Sequence, residues 1–112
     1  MSGSLDITVE QGATFKRTIT ILNSSQVAID VSGDTFSAQM RKRPQSEDIS
    51  ATFTTSLVSD GSDGQFELLL SDETTMGIID GDYVYDVEWN KADGTKTRLL
   101  EGVAKVTPEV TR

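Results

Sequence analysis

The chain contains no cysteine and no histidine. The first absence excludes a disulfide framework, a zinc knuckle and a thiol nucleophile, and the second removes the commonest general base and metal ligand. No G-x-S-x-G, S-x-x-K, G-x-x-x-x-G-K-[ST] or G-x-G-x-x-G pattern is present either, so an enzyme built on this sequence would have to work with bare carboxylates. No apolar run approaches the roughly 18 residues that suggest a membrane span, and Met1-Ser2-Gly3-Ser4 lacks the basic and apolar regions of a signal peptide. The expectation is a soluble protein made in the cytosol. Basic charge is scarce: 10 Lys and Arg stand against 18 Asp and Glu, giving a formal net charge of -8 that repels phosphate backbones and anionic lipid. Neither nucleic acid nor a membrane is expected as a partner, and no cofactor or metal is implied.

What is present is an ordinary globular composition, with 36% of residues apolar and 25% charged in 112 residues, enough for one hydrophobic core. Threonine, valine and isoleucine are frequent, and Gly, Asp, Ser or Asn punctuates the chain about every ten residues. That rhythm predicts an all-β domain of short strands. Leu5, Ile7 and Val9 share one face of a first strand, and Phe15, Ile19 and Ile21 share one face of a second, from Thr14 to Leu22. Val27 to Val31 reads as a brief edge strand. Phe36, Ala38 and Met40 alternate with Ser37, Gln39 and Arg41 until Pro44 stops the strand. Ile49 to Val58 and Gln65 to Leu70 continue the pattern, and Ser71 to Met76 is at most one helical turn with Ser71 as its cap.

The last hairpin carries the longest alternation, from Tyr83 to Trp89, followed by the turn Lys91-Ala92-Asp93-Gly94. Pairing Asn90 with Thr95 sets Tyr85 opposite Leu100 and Tyr83 opposite Gly102, with all four on one side of the sheet. About seven main strands result, with no internal repeat and no linker. Residues 1–4 and 107–112 read as short flexible arms, the second beginning where Pro108 ends ladder pairing.

Candidate sites are few. Asp86, Glu88 and Glu101 fall on the outer face of the hairpin, where carboxylates are usually solvated. Asp60-Gly61-Ser62-Asp63-Gly64 offers oxygen ligands but lacks EF-hand spacing, and a plain loop is the simpler reading. Arg41, Lys42 and Arg43, joined by Lys16 and Arg17, form the one basic concentration; it suits docking on an acidic neighbour or another copy, and equally a solvated strand end. Trp89 fits either a binding anchor or a core cap with a cation–π contact from Lys96 or Arg98.

Asp80-Gly81-Asp82-Tyr83-Val84-Tyr85 resembles the D-x-G-x-Y-x-C entrance to a late strand of immunoglobulin domains, with Tyr85 in the place of the Cys. The resemblance implies an immunoglobulin-like antiparallel β-sandwich in which Tyr83 is the corner tyrosine, its hydroxyl bonded to a backbone carbonyl. A wider resemblance runs through VEQGATFKRTITI, FSAQMRKRP and GDYVYDVEWNKADGTKTRLLEGVAKVTPEVTR, which are similar to small structural proteins of tailed bacteriophages and to the immunoglobulin-like N-terminal module of phage baseplate upper proteins. It implies a virion component without catalytic residues. Its partners would be other virion proteins, and several copies would stand at the tail, baseplate, neck or fibre junction. The basic run, Trp89 and the segment Pro108, Glu109, Val110, Thr111 and Arg112 are the expected contacts. The same resemblance accommodates a capsid decoration protein, and a third reading is a domain that binds a host receptor or carbohydrate through its loops.

Overall fold

Strict alternation decides the central strand. Phe36, Ala38 and Met40 are buried on one face of β4 (Thr35–Arg41), while Thr35, Ser37 and Gln39 face outward. Around it the computed structural model, which describes residues 3–110, builds an all-β fold. Its strands are β1 (Gly3–Ser4), β2 (Ile7–Glu10), β3 (Phe15–Thr20), β4, β5 (Ala51–Leu57), β6 (Gln65–Leu70), β7 (Gly81–Asn90) and β8 (Lys96–Thr107). One helical turn, α1 (Asp72–Met76), joins β6 to β7, with Ser71 capping it by accepting the Thr74 N–H.

The strands form one curled, mixed sheet in the order β1-β8-β7-β4-β5-β6-β3, with β2 also paired to β8. β5 is the bend: Ala51 to Phe53 pair with β4, and Thr54 to Leu57 pair with β6. The curl wraps Phe36, Met40, Phe53, Phe66, Leu68 and Val87 into one core, with Phe36 and Phe66 stacked at 3.9 Å between ring centroids. Every pairing is antiparallel except those of β1 and β2, which run parallel to β8. Gly3 lies beside Leu100 and Glu10 beside Thr107, so the path enters this edge at one end and leaves β8 at the other, roughly 23 Å away at about 3.3 Å per residue.

Four expectations change. Gly3 and Ser4, read as part of a flexible arm, pair with Leu100 and Glu101. Thr107, read as the start of the other arm, is the last residue of β8, and its carbonyl accepts the Gln11 N–H. Val27 to Val31 forms no strand: the Asn23 Oδ1 accepts the N–H groups of Ser25 and Val27, Gln26 takes φ 64°, and only an isolated bridge joins Leu22 to Ala28. In the last hairpin Asn90 pairs with Lys96 rather than Thr95, and the ladder slips between Val87 and Glu88, leaving Leu99 as the extra residue of a bulge. Tyr85 therefore faces Gly102, and Tyr83 faces Ala104. The shift is an even number of residues, so both tyrosines keep the inward side.

Candidate interaction surfaces

Each candidate side chain is engaged differently once the strands are in place. At the end of β4, Arg41 turns back on its own loop: Nη1 donates to the carbonyls of Ser46 and Glu47, both at 2.8 Å, and Nη2 donates to the Gln39 Oε1. It braces the 42–50 loop, a task for which the planar guanidinium is well shaped. Lys42 and Arg43 remain exposed at the start of that loop. Lys16 pairs at 3.7 Å with Glu67 on the neighbouring strand.

Trp89 is half-buried near the other end of the hairpin. Its Nε1 donates to the Asp34 carboxylate at 2.9 Å, its ring lies 6.3 Å from that of Phe36, and the Lys91 ammonium sits 4.5 Å above it. The cation is thus the neighbour in the turn, while Thr97 takes the cross-strand position. Asp34 also accepts the Ala92 N–H, so one carboxylate ties the tryptophan and the turn together. Asp34 was not singled out from the sequence, because only the fold brings it 55 residues along the chain to Trp89.

The registers also order these features in space. Arg41 pairs with Val84, Val84 with Val103, and Gly81 with Val106, which puts the basic run and the segment following β8 at one end of the sheet. Phe36 pairs with Trp89 at the opposite end. Among the residues after β8, Pro108 is exposed, the Glu109 N–H donates to the Gln11 Oε1, and Val110 is 90% exposed. Thr111 and Arg112 lie outside the described residues. Gln11 also donates from Nε2 to the Ile78 carbonyl, and Thr75, a fully buried polar side chain, donates to the Ala13 carbonyl while accepting the Gly12 N–H. These bonds fasten the β2–β3 turn to α1.

At the corner before β7, the Tyr83 hydroxyl donates to the Ile79 carbonyl at 2.6 Å. Burial pushes its pKa up, and the negative charge of Asp80 adds to the shift. The Tyr85 hydroxyl donates to the Leu5 carbonyl at 2.5 Å and is pushed up to about 12, chiefly by burial; Arg17 opposes that rise and Asp6 adds to it.

The outer face of β4, β7 and β8 carries a shallow depression of about 570 Å³ lined by Gln39, Arg41, Val84, Asp86, Arg98 and Val103. Arg98 lies 3.6 Å from Asp86 and 3.8 Å from Glu101, and all three side chains are well exposed. Such exposed pairs contribute little to stability. In the 60–64 loop, the Asp60 carboxylate accepts the hydroxyl and N–H of Ser62, which lower its pKa. Asp30 does the same with Ser32. Among the described residues no group of three or more acidic side chains is placed to hold a metal ion, and no buried side-chain nitrogen or oxygen lacks a hydrogen-bond partner.

The class the geometry defines is an all-β domain with a curled mixed sheet of seven to eight strands. No protein-family model matches the chain, and no curated protein matches it.

Proposed function

We propose that the protein is a non-catalytic, immunoglobulin-like structural module of a tailed-phage particle, which attaches neighbouring virion proteins to one another. The immunoglobulin-like reading takes β3, β6 and the second half of β5 as one layer, and β2, β8, β7, β4 and the first half of β5 as the other. The Tyr83 hydroxyl bonded to the Ile79 carbonyl supports it, since this is the corner bond that the Asp80 to Tyr85 resemblance implies.

The observation that carries the attachment reading is where the polar groups are spent. Arg41, Asp34, Trp89 and Tyr83 hold the domain's own loops, whereas backbone groups stand open along the sheet edges. A rigid body with open edges suits adhesion through main-chain hydrogen bonds. Purified particles separated into heads and tails and analysed by mass spectrometry test this: the protein should appear in the tail fraction at a fixed copy number. Presence only in heads would favour the decoration reading, and absence from particles would refute both. A truncation removing Pro108 to Arg112 should keep the isolated fold within about 1 kcal/mol, the worth of the Glu109–Gln11 hydrogen bond, while lowering incorporation.

A further inference from the structure

The outer edge of β3 is an open edge of the sheet. β3 pairs with β6 along one side, and among the described residues no strand pairs with its other side. The phase of that ladder follows from the Ile21 N–H, which donates to the Gly64 carbonyl. In an antiparallel pair the bonding residues alternate, so Phe15, Arg17 and Ile19, in phase with Ile21, bond inward to β6. The Val58 N–H donating to the Gln65 carbonyl agrees, since it leaves Gln65, Glu67 and Leu69 of β6 to β5. The N–H and C=O groups of Lys16, Thr18 and Thr20 therefore point outward, three in register, on residues that are all exposed.

The opposite edge of the sheet is short and acidic. β1 is only two residues long. On β2 the Leu5 and Gln11 N–H groups bond to β8, which turns Asp6, Thr8 and Glu10 outward. There the Asp6 carboxylate is already taken by the Val103 N–H and the Glu10 carbonyl by the Ala13 N–H. Asp6 and Thr8 keep their backbone groups open, but Asp6 and Glu10 set a carboxylate on either side of Thr8 and repel an acidic strand.

Side chains then select the occupant. β3 reads Phe-Lys-Arg-Thr-Ile-Thr, the one strand of this acidic protein with two cations and no carboxylate. Lys16 is 64% exposed, and its 3.7 Å pair with Glu67 is worth little, so the ammonium can swing to an incoming carboxylate. Phe15 and Ile19 are only half-buried on the inner side, where apolar residues of an added strand would cover them. Two copies of a chain with net charge -8 repel each other, whereas an acidic strand from another protein gains from these cations.

We propose that the β3 edge, Lys16 to Thr20, is a docking site for an extended acidic segment of a partner protein, which adds as an antiparallel strand. This rests on the reading of the protein as an attachment module and names which edge attaches and what it accepts.

The test uses the full 112-residue chain, isotopically labelled for NMR, and two synthetic peptides. One contains Thr-Val-Thr-Glu-Glu-Val, which sets glutamates opposite Arg17 and Lys16; the other has lysine at both glutamate positions. In the free protein, the amides of Lys16, Thr18 and Thr20 should exchange faster than those of Arg17 and Ile19. The acidic peptide should shift and protect these three amides in a saturable manner, and the lysine peptide should leave them unchanged. Thr18→Pro removes an outward N–H without touching the β6 ladder and should abolish the effect. If that variant fails to fold, the double variant Lys16→Glu, Arg17→Glu decides, since it should reverse the preference between peptides. Equal response to both peptides, protection elsewhere in the molecule, or no protection would overturn the proposal. So would protection that rises with protein concentration alone, which would make a second copy the occupant. The peptide result is independent of where the protein resides, so it fails separately from the virion reading.

Discussion

Replacing Tyr83 by Phe deletes one oxygen and leaves the ring in place, which makes it a clean probe of the corner before β7. The side chain is 5% exposed and its hydroxyl donates to the Ile79 carbonyl at 2.6 Å. A neutral hydrogen bond of this kind contributes a net ~1 kcal/mol, and a carbonyl orphaned in a dry site costs as much as ~3 kcal/mol. The Ile79 side chain is 69% exposed, so water reaches this corner and the lower figure applies. The expected loss is about 1 kcal/mol, a fall of roughly 4 °C in melting temperature for a domain of this length. In urea, with a slope of about 2 kcal/mol per molar, the midpoint should drop by about 0.5 M at unchanged slope. An unchanged midpoint would show that the hydroxyl does not hold the corner. A loss above about 3 kcal/mol would show that the site is dry, contrary to the exposure of Ile79.

Gly102 stands where a Cβ would fall on the Leu5 carbonyl, the acceptor for Tyr85; Gly102→Ala should therefore cost roughly 2–4 kcal/mol by urea unfolding, from overpacking plus the lost bond, and a cost below about 0.5 kcal/mol would mean that the N-terminal strand gives way freely. The Tyr85 hydroxyl is held to about 12 in the folded protein against about 10 when unfolded, so its contribution is complete below pH 10 and is lost as pH rises through 12. The stability gap between wild type and Tyr85→Phe should narrow across that window, and a constant gap would refute the assignment. Asp34→Ala removes acceptors from the Trp89 Nε1 and the Ala92 N–H and should cost about 1–2 kcal/mol while making Trp89 more accessible to acrylamide quenching; unchanged quenching would show that the ring is held by Phe36 and Lys91 alone.

Where periodicity alone decides, the all-β class and the buried faces are legible in the sequence. Phe36, Ala38 and Met40 on β4, and Phe66, Leu68 and Leu70 on β6, are buried as their spacing demands. Where one side chain rewrites the backbone locally, periodicity misleads. Asn23 captures two N–H groups and bends the 23–27 segment out of strand geometry, although Val27 to Val31 reads as β. Likewise the bulge at Leu99 has no marker in composition, so the hairpin register was misplaced; the faces hold from Leu100 to Val106, but on the turn side of the bulge Thr97 faces Trp89 in place of Lys96 or Arg98. The candidate surfaces suffered most because charge does not reveal its own partner. Arg41 reads as part of a patch, yet it closes a loop through two carbonyls five and six residues ahead, and no side-chain pattern announces that contact. The open amides of β3 are invisible in the sequence because they depend on which neighbour the strand lacks.

The parallel docking of β2 against β8 has a consequence during synthesis. Asp6 meets Val103 across 97 residues of chain, so the first long strand waits for the last before either can close the sheet. At about 5–20 residues per second that interval lasts roughly 5–20 s, during which Leu5, Ile7 and Val9 emerge from the ribosome with no partner yet made. Closing so long a loop is also entropically the most expensive step in the topology, which makes β2 the last element to settle on the nascent protein. A translational pause before β8 would lengthen the exposure of that apolar strand, whereas a pause after it would cost nothing.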